Sequence, residues 1–242
     1  MPDGGRGVMP DWFPDVTAIV LATIIAITFH EVAHGRAARA LGDPTAALLG
    51  RLSFNPLRHV DPVGTLLVPG VLLVSQLMAT GGVQIMFGWA KPVPVDVRNF
   101  ANPRLGMMWV AIAGPAMNFA LAVLAGLLIH VAVAGDAFLS AESLAWVYRF
   151  VSFAILVNLV LGLFNLIPVP PLDGGRIAVG LLPYRAAMAY ARLEHAGLFL
   201  VLGVLFLLPM AIPAFRPMDW FIYEIVRPVF DFVVWLTGNS GR

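Results

Sequence analysis

Long apolar runs divided by short polar stretches set the pattern of this chain. The first run, residues 16–41, has helical character and stops at Gly42-Asp43-Pro44, with glycine just past the end and proline beyond. An apolar segment at 62–80 is interrupted by Pro69 and Gly70 and closed by Gly81-Gly82. Further runs cover 104–134, 144–167 and 196–212. A last one, 220–236, carries Glu224, Arg227 and Asp231, spaced so that they can pair along one helix face. Between 80 and 104, Val93, Val95 and Val97 alternate with Pro92, Pro94 and Asp96, the period of a strand. Proline inside such a strand confines it to a sheet edge.

The pattern predicts an all-α polytopic membrane protein of about five to six membrane helices. Segment 62–80 is re-entrant or interfacial, and 93–97 forms a small β-hairpin or edge strand. Whether 220–236 spans is left open. No internal repeat or soluble second domain is visible, so residues 1–242 read as a single membrane-embedded domain, with a core at 16–180 and C-terminal helices at 181–242.

Composition agrees. The chain is 60% hydrophobic and 12% charged, with a mean hydropathy of +0.86, whereas soluble domains run near 45–50% apolar and about 25% charged. A net charge of +1 gives no reason to expect a nucleic-acid partner. The absence of cysteine excludes disulfides, thiolate metal sites and a cysteine nucleophile, so any metal must be held by His, Asp or Glu. Asp3, Asp11 and Asp15 against a single Arg6 do not make the positive start of a cleaved signal.

Orientation follows from lysine and arginine. Arg36, Arg39, Arg51, Arg58, Lys91, Arg98 and Arg104 lie between the first run and the one starting near 104, and Arg176, Arg185 and Arg192 follow the 144–167 run. Loop 135–143 has Asp136 and Glu142 and no positive charge. These facts place the N-terminus outside, 42–104 and 168–194 in the cytoplasm, and 135–143 outside. That arrangement requires that 62–80 does not cross.

His30-Glu31-Val32-Ala33-His34 matches H-E-x-x-H on a helix. Histidines four apart share one face, about 6 Å apart along the axis. Two imidazoles can then bind one zinc ion, with Glu31 placed to take a proton from water. The alternative is a chance match, but three ionisable residues ending an apolar run cost several kcal/mol to bury without a purpose. A catalytic zinc takes three protein ligands and keeps one position open. Asp173, between Pro170-Pro171-Leu172 and Gly174-Gly175, is the acidic residue that topology brings to the depth of the histidines; otherwise it is a loop aspartate capping the next helix. If 62–80 crossed fully, Asp173 would lie roughly 30 Å away, at the opposite face.

Together, His30-Glu31-x-x-His34, Gly114-Pro115-x-x-Asn118 and Asn165-x-x-Pro168-x-Pro170-x-Leu172-Asp173-Gly174 resemble the signature set of the site-2 protease family of intramembrane zinc metalloproteases. The likeness covers roughly residues 16–180. The stretch from Gly50-Arg51 to Asp61-Pro62 resembles the compact bacterial and archaeal branch, and no appended PDZ or CBS domain is found. The resemblance implies one Zn2+ per chain on His30, His34 and Asp173, with Glu31 as general base. It also implies that Asn118 and Asn165 hold substrate backbone or the oxyanion; the alternative for both is helix–helix bonding, the role assigned to Asn158. His59, His130 and His195 are not expected to bind metal.

The expected function is zinc-dependent hydrolysis of peptide bonds within or near transmembrane segments, in a bacterial or archaeal cell membrane, with the site toward the cytoplasm. Its partners are transmembrane or signal-like helical substrates and the lipid bilayer; a homo-oligomer stays open. The edge at Val93, Val95 and Val97 could receive an unwound substrate by strand addition, or be a surface hairpin. The competing readings are a membrane metal-ion carrier and a non-catalytic scaffold using the same His/Asp site. A carrier favours repeated broken helices, and only one such constellation is seen.

Overall fold

The computed structural model describes residues 12–80, 88, 90–135 and 138–240. The described residues are mostly helical. Among the described residues, three helices are long and apolar enough to cross a membrane: α1 (Phe13–Ala40), α3 (Pro103–Ala134) and α4 (Ala141–Asn165). Between the first two lies α2 (Val68–Thr80), and after α4 come α5 (Asp173–Leu181), α6 (Tyr184–Ala191) and α7 (Glu194–Leu202). The last helix, α8 (Arg227–Leu236), continues from a single α turn, Pro217–Trp220, and a π turn, Phe221–Val226. Glu224, Arg227 and Asp231 are exposed there and form no ion pair with one another.

The chain divides into two compact units. One takes the described residues of Met1–Ala26, Asn118–Phe164 and Leu202–Arg242; the other takes Ile27–Met117 and Asn165–Val201. In the first, buried amides join apolar helices. Asn118 donates to Oδ1 of Asn158 at 2.9 Å and to the Ala26 carbonyl at 3.4 Å, linking α3 to α4 and α1. Asn158 donates in turn to the Ala154 carbonyl at 2.8 Å. Away from water each such donor must find a protein acceptor. The chain beyond α8 closes on α3 similarly: Asn239 donates to the Gly126 carbonyl and His130 Nε2 to the Thr237 carbonyl.

In the second unit, α1 stops at Ala40, and Gly42 takes φ +106°, as the helix-stop pattern predicts. Asp43, fully buried, collects the donors around it. It accepts from Thr45 N and Oγ1 at 3.1 and 2.5 Å, from Asp96 N at 2.8 Å and from Asn99 Nδ2 at 2.7 Å. Burial works to raise its pKa, but these hydrogen bonds win and hold the carboxyl below its ordinary range. Asp43 thereby fastens residues 96–99 to the end of α1.

Two sequence expectations change here. Pro69-Gly70 does not interrupt the helix. A π turn, Pro62–Leu67, capped by Asp61, runs directly into α2, so 62–80 is helical throughout. Pro69 is the second residue of α2, following the π turn, where a missing N–H is readily accommodated. Nor is there an edge strand at 93–97: no strand occurs among the described residues, and Val97–Asn99 is a 3-10 turn. Pro92 and Pro94 have no N–H, and the donors of Val93 and Asp96 go to side-chain carboxylates, so no ladder forms. Val93 is buried, Val95 packs beside Ala38, Phe100 and Val110, and Val97 is exposed.

Replacing Asp43 by Asn turns an amide N–H toward groups that are themselves donors. We expect Asp43→Asn to cost about 1–3 kcal/mol in detergent unfolding experiments. Because the folded-state pKa is lowered, the stabilisation is present above the unfolded value of about 3.9 and is lost as pH falls through the folded value. The gap between Asp43→Asn and parent should therefore shrink in acid.

Candidate metal centre

The site lies wholly within the second unit. His30 and His34 occupy successive turns of α1, and Asp173 is the first residue of α5. All three are buried, at 5%, 8% and 5% exposure. The two Nε2 atoms are 3.0 Å apart, and each lies 3.3 Å from Oδ2 of Asp173. Four ligands arranged tetrahedrally at about 2.0–2.1 Å from zinc stand about 3.3–3.4 Å from one another. The observed triangle matches one face of that tetrahedron.

The hydrogen bonding tells the same story. Nδ1 of His34 donates to the Val110 carbonyl of α3 at 2.7 Å, which places the proton on Nδ1 and turns the Nε2 lone pair inward. Oδ2 of Asp173 is buried and accepts no hydrogen bond. Nη1 of Arg176, one turn along α5, is 4.0 Å from Oδ1 and faces the other oxygen. Electron-pair donors thus converge on a dry point, the condition a divalent cation satisfies.

Two backbone approaches make the convergence fit. A Cβ on Gly114 of α3 would stand 2.5 Å from Cε1 and Nε2 of His34 and 2.6 Å from Cε1 of His30, so the imidazoles rest on bare backbone. At the start of α5, a Cβ on Gly174 or Gly175 would collide with the backbone of residues 166–170. The α4–α5 turn can therefore fold tightly enough to deliver Asp173. The Tyr190 hydroxyl donates to the Pro168 carbonyl and steadies that turn.

Glu31 is half-buried, and its Oε2 accepts a hydrogen bond from Val93 N at 2.9 Å. Asn165, half-buried, ends α4. Asn118 belongs to the other unit and is engaged with Asn158 and Ala26. His59 bonds to the Ser53 carbonyl and His130 to that of Thr237. The His195 side chain is outside what is described. Three participants escape sequence reading: the Val110 carbonyl, the Val93 N–H and the bare Cα of Gly114. The first two are backbone groups without a residue signature; the third is signalled only by the Gly-Pro pair.

A methyl group at position 114 must push the two rings apart. We expect Gly114→Ala to insert into membranes yet bind zinc about tenfold or more weakly, as measured by metal analysis of purified protein against a chelator series.

Comparison with known proteins places this geometry. Residues 131–208, which include Asn165 and Asp173 but not His30 or His34, match the model of Peptidase family M50. YwhC of Bacillus subtilis (strain 168), named as a zinc metalloprotease, is 39% identical over 93% of this chain and 87% of its own length. Rip2 of Mycobacterium tuberculosis (strain ATCC 25618 / H37Rv), also named as a zinc metalloprotease, is 29% identical over 98% of this chain and 81% of its own. No solved structure matches. At 39% identity over nearly the whole chain, the relationship is one of descent, and the chain belongs to peptidase family M50, the site-2 protease family of zinc metalloproteases.

Proposed function

We propose that this protein hydrolyses peptide bonds within or near the transmembrane segments of other membrane proteins, using one zinc ion held by His30, His34 and Asp173. The observation that carries the proposal is the buried triangle of two Nε2 atoms and one carboxylate oxygen, with sides of 3.0 and 3.3 Å. When bound, zinc supplies a Lewis acid that polarises a carbonyl and makes water nucleophilic near neutral pH.

The chain's own groups then divide the work. The Val110 carbonyl keeps His34 in the tautomer that presents Nε2. Glu31, next to His30 and half-buried, takes the proton of the attacking water and returns it to the leaving nitrogen. Asn165, at the end of α4, holds substrate backbone or the developing oxyanion. Asn118 is the second residue assigned to that task; its bonds to Asn158 and Ala26 support a helix-joining role instead.

Three helices long and apolar enough to span support a membrane location. The substrates proposed are transmembrane or signal-like helices, unwound where they meet the site. Arginine and lysine between the spans support a site open to the cytoplasm and an outer N-terminus, with Pro62–Thr80 along the interface.

The test uses purified enzyme and a helical membrane substrate in detergent or liposomes. Glu31→Gln should retain zinc while cleaving about 100-fold more slowly or worse. Asp173→Ala should lose zinc and activity together. Zinc retained at parental affinity in Asp173→Ala would refute the proposed ligand set.

A further inference from the structure

In Pro92-Val93-Pro94 two of three residues have no N–H, and the one remaining donor is aimed at Oε2 of Glu31 at 2.9 Å. What aims it lies one residue upstream. The Arg51 side chain is buried, at 8% exposure. Its Nη2 donates to the Lys91 carbonyl at 2.7 Å and to the Pro92 carbonyl at 3.3 Å. Lys91 N donates to the His59 carbonyl at 2.9 Å, and His59 Nε2 is bonded to the Ser53 carbonyl. At the downstream end, Asp43 holds Asp96 and Asn99. Residues 91–99 thus form a strap tied at both ends, with Glu31 bound in its span.

A buried guanidinium is costly unless its charge and donors are used. No Arg51–carboxylate ion pair lies within 4.0 Å among the described residues. Nε is buried without a partner among the described residues, and it is Nη2 that engages two consecutive carbonyls, which fixes the peptide planes immediately before Val93. We propose that Arg51 is a positioning residue for the general base: by clamping the Lys91 and Pro92 carbonyls it directs the Val93 N–H at Glu31 and holds that carboxylate in place for proton transfer. This rests on the reading of Glu31 as base. It assigns a task to Arg51 that the metal ligands do not account for.

Arg51 touches neither His30, His34 nor Asp173 in any hydrogen bond or ion pair of the described residues, so its loss should spare the metal and alter turnover. Arg51→Met, Arg51→Lys, Val93→Pro and Glu31→Gln are purified alongside the parent, and zinc content, kcat and KM are measured on one helical membrane substrate. The expected result is parental zinc content and a KM within about twofold for Arg51→Met, with kcat lowered about 10–100-fold. Arg51→Lys, which can still donate to the Lys91 carbonyl, should recover most of that loss. Val93→Pro removes the donor while leaving Arg51 in place and should match the Arg51→Met loss in kcat. It also serves if Arg51→Met does not accumulate. Inactive, zinc-loaded Glu31→Gln beside Arg51→Met or Val93→Pro of parental kcat overturns the proposal and leaves the base assignment standing. So does a loss explained by KM or zinc content. An active Glu31→Gln removes the base assignment and the proposal together.

Discussion

Two imidazole nitrogens and a carboxylate oxygen meet within 3.3 Å at a buried point, and much of the surrounding structure serves that meeting. Left to themselves the three would repel or demand protons, since each presents an electron pair and little water can reach them. A divalent cation resolves the conflict, and the size of the triangle suits a tetrahedral ion with N and O ligands. The cost of gathering these groups in an apolar setting explains why so many neighbours are small or backbone: bare Gly114 beneath the rings, Gly174 and Gly175 at the turn, the Val110 carbonyl at Nδ1 of His34.

The same economy appears around Glu31. A catalytic carboxylate needs a defined orientation, yet a neighbouring side chain with strong donors would compete for the metal site. A backbone N–H supplied between two prolines gives direction without adding another charge. That N–H is flanked by ties from farther out, from Arg51 and His59 upstream and Asp43 downstream, each buried and each hydrogen-bonded to the backbone.

Much of the centre was readable in the chain. Histidines four apart on a helix must share a face, because the helix repeat leaves no alternative, and Glu31 between them follows. The absence of cysteine narrowed the donors, and the Pro-Pro-Leu-Asp-Gly-Gly run marked Asp173. The long spans at 16–41, 104–134 and 144–167 were also legible, since length and apolarity alone define them. The alternation at 93–97 misled: period two reports which way side chains point in extended backbone, and Val93 and Val97 do differ in burial, but it says nothing about where the N–H groups go. Pro69-Gly70 misled in a related way, because a π turn ahead of the proline absorbs what would otherwise break the helix.

By itself the amino-acid order determined the membrane class, the metal-binding face of the first helix, the residue types able to complete it, and the motif set that marks the family. These are local or compositional properties, carried by helix periodicity, hydropathy and short motifs. Tertiary structure alone decided that a residue 139 positions after His34 closes the triangle, that Gly114 provides the space for it, that Asn118 bonds across helices, and that Arg51 reaches the peptide before Val93. Those are contacts between segments far apart in the chain, many of them made by backbone atoms. Residue identity leaves no mark of a carbonyl's direction; only the folded path of the chain does.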